Sequence, residues 1–471
     1  MRYKLINNSN NDIYNVQQTI FSNRGIENYH EYTNLTDDVL IPYNKLNNIN
    51  EAVKCLLKHL ENNSNINIIV DSDCDGNTSA AILYKYIKLI KPDSNLTYSI
   101  HTRKQHGLSD DIIITENINL LMIPDAGSND IEQCKALQEK GIDIIILDHH
   151  ICDTENPYAI IVNNQNCNYS NKNLSGVGIV YKFLQAIDEE TWNNYADNFL
   201  DLVALGNIAD SMDLTEYETR RLVGKGLNKI RNKFFKALID KQSYSIGNNF
   251  NINAVQFYIV PLINGMIRSG DYDEKDLMFR AFIETDEVFK YKKRGETDEI
   301  EEDIYTRCAR LCANAKQRQN NSKDKSIVEI NNQIIERGYD KNKIIFCNVT
   351  DILDETMTGV TAMKIAEQYN RPCLLLRKKK DKDNIYGGSG RNIENSPIDN
   401  LKDFLDKLNI FSLISGHQGA FGFEIKKENI PIAINLINEK LKEIDFSQCY
   451  ESDFILDHNE LDIPFIKDID D

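Results

Sequence analysis

Two rhythms of apolar residues alternate along the first ~240 positions of the chain. Short, nearly unbroken apolar runs read as strands buried on both faces: 65–73 ("NINIIVDSD"), 117–127 ("NINLLMIPDAG") and 142–150 ("IDIIILDHH"). Between them, apolar residues recur at three- and four-residue spacing, which predicts helices over 77–90 and 130–141, the second closed by Gly141. Strands alternating with helices imply an α/β fold around a parallel sheet. From about residue 275 to 330 the pattern turns helical and highly charged, as in a solvated connector. A second, smaller α/β region follows, with "KIIFCNVT" (343–350), a helix over 359–369, "PCLLLRKKK" (372–380), "IYGGSGRN" (385–392) and a closing stretch at 414–425. Residues 451–471 are acidic with apolar punctuation and read as a loosely held tail. The expected division is an extension (1–50), a first α/β domain (51–250), a helical connector (251–330), a second domain (331–448) and the tail (449–471).

Composition narrows the class. At 471 residues and 41% hydrophobic content the chain is globular, with room for two or three cores. It holds no run of 18 apolar residues and its first residues lack a signal-peptide core, so we expect a cytoplasmic protein with no membrane association. The ten cysteines are dispersed. The one close pair is Cys308 and Cys312, no CxxC occurs, and no histidine is read as clustering with them, so reduced thiols are expected. A net charge of −18 argues against nonspecific coating of nucleic acid, which phosphate neutralisation leads, but allows a site where metal ions supply positive charge.

Chemistry concentrates where the apolar runs stop. An acid ends each of the three strands: Asp71, Asp125 and Asp148, the last followed by His149 and His150. Ligands of open parallel sheets bind at the carboxyl ends of strands. "VDSDCDG" places Asp71, Asp73 and Asp75 at alternate positions, so Asp71 and Asp73 leave the strand on one side, with Gly76 turning into the helix. Clustered carboxylates stay ionised together only beside cations, and oxygens with one or two imidazoles suit Mn²⁺ or Mg²⁺ better than zinc. Asp210, at the end of the apolar run in "DLVALGNIADSMDL", taken alone reads as a helix-end residue.

These motifs resemble a known family. "VDSDCDG", "PDAGSND", "LDHH" and "ALGNIADSMDL" are similar to the ordered signatures of the DHH phosphoesterases, in their RecJ-type exonuclease branch. "PLINGMIRSGD" (261–271), "GGSGRN" (387–392) and "SGHQGAFGF" (415–423) resemble its later elements, so the likeness runs from roughly residue 20 to 445. It implies a DHH domain joined to a DHH-associated domain, and two divalent ions, Mn²⁺ or Mg²⁺. Asp71, Asp73, His149 and Asp210 would be ligands and Asp125 the bridge between ions. Asp75 would support them, His150 would face the scissile phosphate, and Asp148 would orient an imidazole. Ser389, Gly390, Arg391 and His417 would hold a nucleic-acid strand, and Asn264 and Arg268 would line its channel. Ser415, Phe421, Gly265 and Ile267 depart from the usual pattern, which bears on substrate fit.

The implied activity is metal-assisted hydrolysis of single-stranded DNA, 5′→3′ by family analogy, in recombination, repair or replication, with replication or repair proteins as partners. The alternatives are a phosphodiesterase for short oligonucleotides or cyclic dinucleotides, and a catalytically silent scaffold. Two side features have plain readings: the "RKKK" run (377–380) as a solvated loop or a phosphate contact, and Phe421 or Tyr386 as core packing before base stacking.

Overall fold

The computed structural model describes residues 2–7, 12, 15–102, 105–108, 112, 114, 116–152, 154–292, 295, 298–353, 355–379, 382–447 and 449–470. Lys380 of the basic run, and residues 293, 294, 296 and 297 of the charged stretch, lie outside them. The chain divides into a larger unit, Tyr32–Arg318, and a smaller one built from Met1–Glu31 with Gln319–Asp471.

The smaller unit opens with β1 (Arg2–Leu5). The larger unit then builds a five-stranded parallel sheet from β2 (Ile66–Val70), β3 (Leu96–Ile100), β4 (Leu120–Pro124), β5 (Asp143–Asp148) and β6 (Ile160–Asn163). Its strand order is β3-β2-β4-β5-β6. The central strands β2 and β4 are buried at every position, because helices cover both faces. Side-chain alternation divides the core in two: Ile68, Met122 and Ile145 join the cluster on one face, and Ile69, Leu121 and Ile146 the cluster on the other. Strand β3, at the sheet edge, buries only Leu96 and Ser99 and leaves its other three residues exposed or half-buried, and the sequence pattern did not single it out.

The charged stretch is less helical than its composition implies. Strands β7 (Val288–Lys292) and β8 (Glu299–Asp303) form an antiparallel hairpin there, with Lys290 opposite Glu301. Only then does the 33-residue Ile304–Glu336 helix begin. The smaller unit carries β9 (Ile345–Asn348), β10 (Cys373–Lys378), β11 (Ile385–Arg391), β12 (Phe411–Gly416) and β13 (Ala420–Lys426), in the order β12-β13-β11-β10-β9. Here Phe421 is buried against Gly390, where an added Cβ would lie 2.4 Å from its ring, so it is a core residue with no face for a base. In the basic run, Arg377 donates to the Leu353 carbonyl and Lys379 pairs with Glu424 at 3.2 Å, which leaves Lys378 exposed.

The tail departs from expectation. Its β14 (Cys449–Ser452) pairs in parallel with β1. Arg24 grips Asp453 through two hydrogen bonds of 2.8 and 3.0 Å, and the Phe454 and Phe465 rings meet edge to face at 5.4 Å. The acidic composition suggested a loose end because the pairing partner lies more than 400 residues away in sequence. Among the described residues no helix is long and apolar enough to cross a membrane.

Candidate metal centre

Strand β2 ends at Val70, so alternation along a strand does not aim Asp71 and Asp73; the turn into the Cys74–Ile90 helix does. Asp73 is that helix's N-cap, accepting from the Gly76 amide at 2.8 Å. Gly76 is required by space: a Cβ there would lie 2.5 Å from the Asp71 Cβ. The buried Asp71 accepts from the Gly107 amide at 3.0 Å and stands 2.5 Å from His106 Nδ1. His101, buried beyond the end of β3, brings its Nε2 within 3.6 Å of the same carboxylate. Sequence reasoning missed both histidines, although His101 follows "LTYSI" much as His149 follows "IIILD".

Asp125 follows β4 in a left-handed conformation at φ +68°, which an aspartate tolerates better than most side chains. Its amide donates to the Leu147 carbonyl at 2.8 Å, and Gly176 makes room for its carboxyl: a Cβ there would lie 2.3 Å from Oδ1. Asp75, in the first turn of its helix, accepts through Oδ1 from Ser175 Oγ at 3.0 Å and from the Val177 amide at 3.2 Å. Asp210 follows the last turn of the Leu200–Ala209 helix, where the helix dipole adds further negative potential.

At the end of β5, Asp148 Oδ1 accepts from the His149 and His150 amides and from His150 Nδ1 at 2.8 Å, while Oδ2 accepts from Ser128 N. Burial alone would raise this carboxyl, but the His150 hydrogen bond and charge hold it well below the usual range. In return the Asp148 hydrogen bond pushes His150 up to about 9, so that ring is cationic and half exposed. His149 is the opposite. Burial, then the neighbouring His150 charge, pushes it down to about 4, leaving a neutral ring with a nitrogen free to ligate.

The ligating atoms of Asp71, Asp73 and His106 lie within 4.8 Å of one another, as do those of Asp125, His149 and His150, and those of Asp75, His149 and Asp210. Buried Asp75 Oδ2, Asp125 Oδ1 and His149 Nε2 make no hydrogen bond, and His149 Nε2 stands 3.2 Å from Asp125 Oδ1 and 3.5 Å from Asp210 Oδ2. Burial and then mutual repulsion push Asp75 up to about 8 and Asp210 up to about 6, and raise Asp125 well above the carboxylate range. Mutually repelling carboxylate oxygens gathered around one neutral imidazole are a donor set that a divalent cation fits. Asp75 thus stands among the potential ligands, beyond the supporting part expected of it.

The other expected residues fall in two places. Asn264 and Arg268 are four apart on the Val260–Ser269 helix of the larger unit; burial lowers the Arg268 guanidinium, and Asp73 is the carboxylate whose charge opposes that. In the smaller unit, Ser389, Gly390 and Arg391 end β11, paired with Gly422, Phe421 and Ala420, while His417 is exposed in the β12–β13 turn. Arg391 donates to the Gly390 carbonyl at 2.7 Å.

The family model described as the N-terminal domain of the DHH family matches residues 65–207, which carry all of the β2–β6 strand ends. A protein named as a prophage-derived single-strand DNA-specific exonuclease, YorK of Bacillus subtilis strain 168, is 40% identical over 473 residues, covering 100% of this chain and 82% of the relative. The chain belongs to the DHH family. Its RecJ-like membership is carried further by the single-stranded-DNA-specific exonuclease RecJ of the same bacterium, 25% identical over 443 residues that cover 90% of this chain and 52% of the relative's length. The fold matches a crystal structure of RecJ bound to manganese (TM-score 0.62, 19% identity, 85% of this chain and 96% of that one). It also matches RecJ in complex with Mn²⁺ from Thermus thermophilus (TM-score 0.69, 18% identity, 97% of this chain and 64% of that one).

Proposed function

We propose that this DHH protein is a metal-dependent exonuclease that hydrolyses phosphodiester bonds of single-stranded DNA, 5′→3′, with two Mn²⁺ or Mg²⁺ ions as cofactors. One observation carries the reading: carboxylates and a neutral imidazole converge with three buried ligating atoms left without hydrogen bonds. The relatives named as single-strand DNA-specific exonucleases supply the substrate class.

Asp71, Asp73, Asp125, His149 and Asp210 would hold the cations, joined by the free oxygen of Asp75. Bound there, the ions supply a more acidic water and neutralise charge growing on the phosphoryl oxygens. The protein's own groups do the rest. Asp148 fixes the ring of His150 and keeps it protonated, so that ring presents positive charge to a phosphate. Ser175 and the Val177 amide hold Asp75 in one rotamer, and Gly176 lets Asp125 approach. Arg268, near Asp73, adds a cation beside the acids. In the smaller unit Ser389, Gly390, Arg391 and His417 form the proposed strand-binding group. We place the protein in the cytoplasm, in recombination, repair or replication, with proteins of those processes as partners.

The test is digestion of end-labelled single strands, DNA and RNA, in Mn²⁺, by the wild-type protein and Asp125→Ala. Progressive release of nucleotides from DNA by the wild type alone supports the reading. A wild type no more active than the variant on any strand favours a silent scaffold.

A further inference from the structure

At the opposite end of β5 from Asp148 stands a second group of ligand types. Cys55 and His59 are four residues apart on the Ile49–Glu61 helix, so they share one face, and Asp143 opens β5 beside them. A ligating atom from each of the three lies within 4.8 Å of the other two. His59 Nε2 is 2.9 Å from Asp143 Oδ2, and its buried Nδ1 makes no hydrogen bond. The His59 ring is about nine-tenths buried, whereas the Asp143 side chain is 54% exposed, so solvent reaches the group on one side. Reading the cysteines as free of histidine neighbours overlooked this pair: the sequence does carry Cys-x₃-His, but the carboxylate that completes the set comes from a strand 84 residues away.

We propose that Cys55, His59 and Asp143 bind one borderline-soft divalent cation, Zn²⁺ by preference, at a site separate from the acidic centre. The donor chemistry decides the metal. Sulfur with imidazole and one carboxylate favours zinc, whereas the oxygen-rich strand ends favour manganese or magnesium. A tetrahedral zinc with bonds of about 2.0–2.3 Å holds its ligands roughly 3.3–3.8 Å apart, so small rotamer changes close the present spacing, and water reaches the fourth position from the exposed side. Coordination replaces the thiol S–H bond with an S–metal bond and releases the proton to solvent. The six-residue β5 separates this site from the acidic centre by about 17 Å, at ~3.3 Å per residue. The ion would clamp the helix to the start of the strand whose far end bears Asp148, His149 and His150.

Co²⁺ replaces Zn²⁺ and reports a thiolate ligand through near-ultraviolet charge-transfer absorption. Titrated into the 471-residue protein, Co²⁺ is expected to give that band in the wild type and in Asp125→Asn, and to lose it on addition of one equivalent of Zn²⁺. Cys55→Ser is expected to abolish the band with Mn²⁺-dependent digestion unchanged, and Asp143→Asn, at an exposed position, to weaken Co²⁺ binding at least about tenfold. Absence of the band from the wild type overturns the site without recourse to any variant. So does a band of full strength in folded Cys55→Ser, which would assign it to another cysteine.

Discussion

Asp148 and Gly176 each act on the acidic centre through a neighbour, and each can be altered without removing an expected ligand. Asp148→Asn keeps the shape of the side chain but loses the charge that holds His150 protonated and in place. Loss of such an outer partner costs about 10–100-fold in activity or metal affinity, which steady-state digestion rates check; an unchanged rate would separate His150 from the reaction. Gly176→Ala pushes a methyl group onto Asp125, whose carboxyl lies 2.3–2.7 Å from the new Cβ. A displacement of about 1 Å at a reacting centre costs on the order of 100-fold, so a large fall in rate with little change in folding is expected. The acids were legible in the sequence because each ends an apolar run. His101 and His106 were not, since their approach to Asp71 comes from the pairing of edge strand β3 with β2, and the signal of an edge strand is weak. The role of Asp73 as a helix cap was also hidden, because it depends on where β2 stops.

Buried ion pairs and paired edges decide how the elements hold. The helix Gly176–Thr191 carries the fully buried Lys182, whose Nζ lies 2.7 Å from Glu218 Oε1 on the neighbouring Tyr217–Leu227 helix and donates to the Ile41 carbonyl. Lys182→Met leaves that carboxylate, among the described residues, with Tyr169, Asn171 and the Ile41 amide to satisfy it. Breaking a buried pair in this way costs about 3–5 kcal/mol, to be read from urea unfolding; a loss below about 1 kcal/mol would contradict the pairing. In the smaller unit, hydrogen bonds from Lys382 and then Lys379 hold Glu424 below its ordinary value of 4.5. A carboxyl depressed in the folded state contributes stability that is present above its unfolded pKa and lost as pH falls through the folded one. Unfolding free energy of the wild type should therefore fall below about pH 4.5 more steeply than that of Glu424→Gln. Equal slopes would remove the Lys–Glu cluster from the stability of β13. Strands β2, β4, β5, β9 and β10 could be read from their apolar runs, whereas the Gly-rich β11 at the centre of the smaller sheet carries none. The β7–β8 hairpin and the β1–β14 pair could not: the short alternation Val-Phe-Lys-Tyr-Lys of β7 sits in a charged stretch that reads as helix, and the register of β1 is set by a partner more than 400 residues away.

Taken as one molecule, the chain carries −18 charge and yet is proposed to handle a polyanion. Positive charge must then be imported, and the centre at the strand ends is where the protein would import it. Chelating divalent ions is expected to weaken single-stranded DNA binding at least about tenfold in fluorescence anisotropy as well as to stop digestion, since without cations the acids repel phosphate. Undiminished binding after chelation would shift the main contact to lysines and arginines elsewhere. The claim beneath all of this is that cations lie among the carboxylates at the ends of β2, β4 and β5. Anomalous scattering at the manganese edge from crystals grown with Mn²⁺ tests it most directly. Two peaks are expected within ligating distance of Asp71, Asp73, Asp75, Asp125, His149 and Asp210; density free of such peaks, with the carboxyl groups paired to one another through protons, would rule the cations out.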